Sequence, residues 1–239
     1  MGILNVTPDS FSDGGQFLDP AKAIARGLEM MEEGATIIDV GGESTKPGVE
    51  RVSMDEELSR VIPVIHALSK AGAMVSVDTM RAEVAALAVA SGARIINDVS
   101  GGLADEAMHA TAAALKAQYI CMHWRGQSKN MDSLAVYDDV TSEVIAELTK
   151  QVASALLAGI EPTRLVIDPG LGFAKNAEQN WELLRNIDKF KELGFPILVG
   201  GSRKRFLGGN DPLERESASI ALTTWLATKD IWGVRTHTV

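Results

Sequence analysis

Eight short apolar runs, each separated from the next by a helix-periodic segment, leave this 239-residue chain few architectures. The runs are Gly2–Val6, Thr36–Val40, Met74–Val77, Arg94–Ile96, Tyr119–Met122, Leu165–Ile167, Ile197–Val199 and Ile231–Val234. They read as continuous apolar stretches rather than alternating ones, as strands covered on both faces do. Asp19-Pro20 predicts an N-cap followed by proline at the first helical position. Ser53 with Glu56 predicts a capping box. Gly34, Gly72, Gly92, Gly159 and Gly194 stand where a helix ends and the chain turns into a strand. Val140, Val144, Leu148, Val152 and Leu156 form one helical stripe, which is core packing. Eight strands with intervening helices are the count of a closed (β/α)8 TIM barrel spanning residues 1–239 as one domain. The competing doubly wound sheet usually carries a glycine-rich dinucleotide turn after its first strand, and none follows Val6.

Charge narrows the partners. A formal net charge of −9 argues against a general nucleic-acid binder. One cysteine, Cys121, excludes an internal disulfide, fits a reducing, cytoplasmic compartment and reads as a small buried hydrophobe. No apolar stretch is long enough to span a membrane, and no signal peptide is recognisable. His66 and His109 lie in helical segments and are expected at the surface.

Polar residues follow nearly every apolar run: Asn5; Glu43 and Ser44; Asp78; Asn97 and Asp98; His123; Asp168; Ser202 and Lys204; Arg235 and His237. Parallel strands bring these ends to one rim, where barrel active sites are built. Around Ile197–Leu207, an apolar run, two glycines and the cations Arg203, Lys204 and Arg205 read as strand, tight turn and helix start, a place for an anion. Asp78, Asn97 and Asp168 offer acceptors and an amide that suit a flat heterocycle with several N–H groups. Lys204, Arg235 and His237 lie on the last two strands, where barrels often hold phosphate. Asn5, adjoining them across the closure, supplies an amide oxygen suited to phosphate-bound Mg²⁺. The loops Thr7–Leu18 and Gly41–Val52 are long and rich in small residues, as lids are. No His/Cys cluster for zinc and no Ser/His/Asp arrangement appears.

Several motifs, in order, cover essentially the whole chain: Asn5-Val-Thr-Pro-Asp-Ser-Phe-Ser-Asp-Gly-Gly15, Gly41-Gly-Glu-Ser-Thr-Lys-Pro-Gly48, Ser76-Val-Asp-Thr79, Ile96-Asn-Asp-Val-Ser-Gly-Gly102, Met122-His123, Asp168-Pro-Gly-Leu-Gly-Phe-Ala-Lys175, Ser202-Arg-Lys204 and Arg235-Thr-His237. In these the chain resembles the dihydropteroate synthase family of pterin-binding barrels. The resemblance implies a transferase of folate biosynthesis that joins 6-hydroxymethyl-7,8-dihydropterin diphosphate to 4-aminobenzoate and releases diphosphate. It implies that Asp78, Asn97, Met122, Asp168, Phe173 and Lys204 hold the pterin, with Asp78, Asp168 and Lys204 catalytic. Asn5, Arg235 and His237 would hold diphosphate, and Asn5 the Mg²⁺. Phe11, Thr45, Lys46, Pro47 and Arg205 would shape the aminobenzoate pocket, where sulfonamide inhibitors compete. A homodimer through late helices is also implied, and residues 217–227, apolar on more than one side, are expected to pack on two sides.

The sequence departs from the family pattern at three places. Lys46 stands where the family usually has Arg, and Lys cannot form a bidentate fork. Arg205 stands where many members have Ser. The chain stops at Val239 just past the last strand, so the resemblance implies a barrel lacking its last helix. A methyltetrahydrofolate-dependent methyltransferase-like barrel and a catalytically silent pterin-binding paralogue are the competing readings. The former lacks the Ser202-Arg-Lys204 stretch and the first-loop motif.

Overall fold

The computed structural model describes residues 1–7, 19–43, 51–127 and 131–239. Its strands are β1 (Gly2–Asn5), β2 (Ile37–Gly41), β3 (Met74–Asp78), β4 (Ile95–Asp98), β5 (Gln118–Met122), β6 (Leu165–Asp168), β7 (Leu198–Val199) and β8 (Gly233–Val234). β1 to β6 form one sheet in chain order, and β7 pairs with β8; every pairing is parallel. Single bridges close both seams, Ile167 to Ile197 and Gly2 to Thr236. The Ile167 N–H donates to Pro196 O at 2.9 Å, and the Ile3 N–H to Thr236 O at 2.8 Å. The strands therefore complete a (β/α)8-type ring, as the run count predicts. After β1 to β7 come α1 (Pro20–Glu32), α2 (Met54–Lys70), α3 (Ala82–Ala90), α4 (Met108–Leu115), α5 (Val140–Leu157), α6 (Ala177–Arg185) and α7 (Glu216–Ala227).

The two faces of β4 to β7 go to two different cores. Outward residues Val75, Val77, Ile96, Cys121 and Ile167 join the main cluster beneath the helices. Inward residues Ile95, Ile120, Val166 and Leu198 form a separate cluster with Met1 and Ile37 packed on it. Side chains alternate along a strand, so the next inward positions are Asp39, Asn97, Met122, Asp168 and Gly200. The barrel interior is thus apolar at its base and gains Asp39, Asn97 and Asp168 two residues later. That change of chemistry, inside one apolar run at Asp39 and just past the runs at Asn97 and Asp168, is what builds a rim site.

The helix signals are obeyed with two amendments. Asp19 caps α1, accepting from the Ala21 N–H, and the five turn glycines adopt positive φ. Ser53 caps α2 by accepting from the Glu56 N–H, but Glu56 turns to Arg60 instead of completing a capping box. A full box forms at α6, where Asn176 and Gln179 satisfy each other's backbone N–H groups. Replacing Asn176 by alanine should lower stability by about 1 kcal/mol, read as a shift in the urea midpoint; an unchanged midpoint would refute the cap. The stripe on α5 is buried at Val140, Val144, Leu148 and Val152 and half-buried at Leu156.

Three expectations need correction or qualification. His66 is exposed, but His109 is buried. Its ring meets Tyr119 edge-on at 5.4 Å, and its nitrogens reach Gly101 O at 3.2 Å and Ser154 Oγ at 3.3 Å. With both nitrogens partnered, an imidazole is inexpensive to bury. The expected helix start after Lys204 is one 3-10 turn, Arg205–Leu207, ended by Gly208 and Gly209 at φ 89° and 70°, so α7 begins only at Glu216. On α7, Ser219, Leu222 and Leu226 face the barrel while Ile220 is 58% exposed.

Candidate active site

The strand ends place the sequence-predicted groups on one rim and in register. Asn5 lies opposite Gly41, Gly41 opposite Asp78, Asp78 opposite Asn97, and Met122 opposite Asp168. Gly41 keeps the rim open here: a Cβ on it would sit 3.6 Å from Asp78 Oδ2 and 3.7 Å from Asn5 Oδ1. Gly200 does the same across the ring, where a Cβ would lie 3.8 Å from Arg235 Cβ and 3.9 Å from Asp168 Oδ2.

A residue that sequence reading missed organises this ring. Asp39, fully buried within β2, accepts from Arg235 Nε at 2.6 Å and from Asn97 Nδ2 at 2.9 Å. The other end of the Arg235 guanidinium donates to Asp78 Oδ2 at 2.7 Å. Asp39 thus fixes Arg235 and Asn97 relative to each other, and Arg235 links them to Asp78. The available signal was a carboxylate inside an apolar run, Ile37-Ile-Asp-Val40, because a charge buried there requires partners.

Burial sets the protonation of the rim. Desolvation raises the Asp78 carboxyl to about 7, with Asp39, Glu57 and Asp98 adding to the rise and Arg235 opposing it. Burial likewise raises Asp168, against the Gly170 N–H and the charges of Lys204, Arg235 and Lys175. Burial lowers Lys204 to about 8 despite the neighbouring Asp168 carboxylate. For Arg235 burial works against the charge, but Asp39 and Asp78 more than offset it, and the guanidinium stays protonated. Burial, Arg235, Arg203 and Lys204 lower His237 to about 4. It is therefore neutral at pH 7, a hydrogen-bonding group rather than a standing cation, with Nδ1 3.1 Å from Ser202 Oγ.

The three consecutive cations divide. Arg203, at φ 58°, turns away from the rim to donate to Glu216 at 2.8 Å and Thr238 at 2.9 Å. Arg205 is exposed. Only Lys204 serves the interior: its ammonium donates to Leu171 O and lies 4.3 Å from the centroid of the Phe173 ring. Asp168, Phe173 and Lys204 are thereby gathered around the turn after β6. Phe11, Thr45, Lys46 and Pro47, and most of both long loops, fall outside the described residues.

Two rim carboxylates have other work. Glu43 accepts from Arg51 at 2.9 Å and Arg81 at 3.4 Å, while Arg81 also pairs with Glu57 and donates to Val52 O at 2.6 Å. These bonds clasp the two roots of the second loop. Asp98 accepts from Ser100, Gly102 and Tyr119 and holds a turn. Cys121 is buried as expected. Among the described residues no group of three or more His, Cys, Asp or Glu could hold a metal, and no helix is long and apolar enough to cross a membrane.

The pterin binding enzyme family matches residues 1–237. The dihydropteroate synthase of Mycobacterium leprae is 49% identical over 249 residues, covering 100% of this chain and 88% of that protein. Among solved structures, Xanthomonas albilineans dihydropteroate synthase with 4-aminobenzoic acid superposes with a TM-score of 0.92 at 42% identity, covering 99% of this chain and 86% of that one. Yersinia pestis dihydropteroate synthase in a sulfonamide drug complex gives a TM-score of 0.93 at 38% identity, covering 99% and 87%.

Proposed function

The chain belongs to the pterin-binding enzyme family, among its dihydropteroate synthases, and from that premise we propose a division of labour among its residues. It is a transferase of folate biosynthesis: the amine of 4-aminobenzoate displaces diphosphate from 6-hydroxymethyl-7,8-dihydropterin diphosphate to give 7,8-dihydropteroate. The observation that carries the residue assignment is the Asn97–Asp39–Arg235–Asp78 chain, in which half-buried Arg235 joins three buried side chains across the rim with Asp168 and Lys204 beside it. Asp78, Asn97 and Asp168 present acceptors and an amide to the pterin ring, and Met122, Phe173 and Lys204 complete its pocket. Arg235, Lys204 and His237 meet the diphosphate. As negative charge grows on the leaving oxygen, Arg235 and Lys204 stabilise it at the moment of bond breaking. The methylene left behind is electron-poor, and Asp168 together with the ionised fraction of Asp78, whose carboxyl titrates near pH 7, places negative charge beside it. No strong base is required, because an arylamine keeps its lone pair free at neutral pH; positioning supplies the rest.

Mg²⁺ fits this donor set. Asn5 would offer a hard amide oxygen across Gly41 from Asp78, and an ion bound with diphosphate would need few ligands from the protein. Held at Asn5, it would supply charge neutralisation to the leaving diphosphate. Phe11, Thr45, Lys46, Pro47 and Arg205 are the proposed aminobenzoate contacts, and sulfonamides the competitors. The exposed Ile220 on α7 supports a homodimer through that helix, and the single buried cysteine supports a cytoplasmic enzyme.

Four of those five aminobenzoate contacts lie on the two long loops, whose roots adjoin Asn5 and the Glu43 clasp. Aminobenzoate should therefore bind more tightly with Mg-diphosphate present than without it, through positive coupling. Paired calorimetric titrations of 4-aminobenzoate test this. Equal affinities would mean that the pocket is complete without diphosphate.

A further inference from the structure

Behind the proposed pterin pocket lies a buried ammonium that the mechanism above does not use. Lys175 ends the turn from β6 to α6 and is 9% exposed. Its Nζ donates to Gly170 O at 3.0 Å, to Phe173 O at 3.0 Å and to His123 Nδ1 at 2.9 Å. An ammonium has three donors and no acceptor, so all three are used and His123 Nδ1 must carry the lone pair. The imidazole proton then sits on Nε2, which donates to Glu147 Oε2 at 2.9 Å. Glu147 is held in turn by Arg125 at 2.6 Å, and Arg125 stacks on the Tyr137 ring at 3.7 Å. The chain Lys175–His123–Glu147–Arg125 ties the β6–α6 turn to the end of β5 and to α5.

The turn itself needs such a tie. Gly170, Gly172 and Ala174 all have positive φ, at 69°, 77° and 48°. Alternating this handedness points the carbonyls of residues 170, 171 and 173 at ammonium groups. Lys175 takes 170 and 173 from behind; Lys204 takes 171 from the pocket side. A Cβ at Gly172 would lie 2.7 Å from Lys204 Cδ, so the turn and Lys204 are in direct contact. Ala174, which is not a glycine, is strained in this conformation, and the ammonium beside it offsets that strain.

We propose that Lys175 is a positioning residue for pterin binding: its ammonium, aligned by His123 and Glu147, fixes the 169–176 turn and through it the places of Phe173 and Lys204. The proposal rests on the pocket assignment above. The charges facing Lys175 are Asp168 on β6, Lys204 after β7, Arg125 after β5 and Glu147 on α5, with His123 in direct contact. Burial lowers the Lys175 ammonium to about 7, assisted by Lys204 and Arg125 and resisted by Asp168 and Glu147. Loss of its proton leaves two donors for three acceptors, so one of the three contacts then sets lone pair against lone pair.

The test uses the full-length enzyme. Lys175→Met keeps the apolar stem and removes the charge; its fold is checked by circular dichroism and thermal unfolding. Its KM for the pterin diphosphate should rise at least about tenfold below pH 7, while the KM for 4-aminobenzoate stays within about twofold. The affinity gap between wild type and Lys175→Met should shrink as pH rises through about 7, where the wild-type ammonium is lost. An unchanged pterin KM, a parallel rise of both KM values or a pH-independent gap would each overturn the proposal. If Lys175→Met does not fold, His123→Asn, which cuts the link to Glu147, should weaken pterin binding in its place; wild-type affinity there overturns it equally. Lys204→Met runs alongside: intact pterin affinity in that variant would fault the pocket assignment rather than the role of Lys175.

Discussion

Replacing Asp39 with alanine should lower the unfolding free energy by about 3–5 kcal/mol and remove most of the activity in whatever fraction still folds. Asp39 is fully buried and accepts from both Arg235 and Asn97. Cutting it away leaves a guanidinium in the barrel interior with one carboxylate, Asp78, where it had two. Removing one partner of a buried pair costs far more than the pair itself contributes, because the remaining charge keeps its desolvation penalty. Asn97 loses its acceptor in the same step. Both side chains are then free to swing away from the rim. Asp39→Asn supplies the contrast, since it keeps an acceptor at the same place and should lose less stability. Urea unfolding of both variants, followed by diphosphate release with both substrates, gives the readout. An Asp39→Ala midpoint equal to wild type would show that Arg235 does not depend on this carboxylate.

The fold is legible in the sequence because strands covered on both faces must be apolar, and eight such runs leave little choice. The rim residues are legible because a polar group recurs just past nearly every apolar run, which turn chemistry alone does not produce. Asp39 and Lys175 escape the same reading. Asp39 is a single polar residue inside an apolar run, and only the inward register shows that it faces Arg235. Lys175 has the sequence surroundings of an ordinary loop cation; its burial depends on carbonyl and imidazole acceptors that come from two different strand ends. His109 escapes because helical periodicity identifies a face only when the neighbouring elements are known, and Gly101, Tyr119 and Ser154 come from elsewhere in the chain. The cation triplet shows the opposite limit. Charge density around Arg203, Lys204 and Arg205 suggests one shared role, but a positive φ at Arg203 sends that side chain to Glu216.

Asp168→Asn should weaken pterin binding tenfold to a hundredfold, roughly 1.5–3 kcal/mol for a hydrogen bond to a charged group, while the fold survives. The two carboxylate oxygens of Asp168 have separate duties. Oδ1 accepts from the Gly170 N–H at 2.7 Å and so holds the first bend of the β6–α6 turn. Oδ2 would lie 3.9 Å from a Cβ on Gly200, on the side of the proposed pterin pocket. Asparagine can keep the Gly170 bond with its own oxygen, but it must then aim its amide N–H₂ into the pocket. A ring N–H of the pterin would meet a donor where it had met an acceptor. The same logic gives the sign of the pH effect. Burial raises the Asp168 carboxyl above its ordinary range, so acidification protonates the wild-type group early and removes its acceptor. Pterin affinity of the wild type should therefore fall towards the Asp168→Asn level as pH drops, and the two should separate again as pH rises. Calorimetric titration of both proteins with a pterin across pH, with thermal unfolding as a check on the fold, decides the matter. Wild-type affinity in a folded Asp168→Asn variant at neutral pH would remove Asp168 from the pocket.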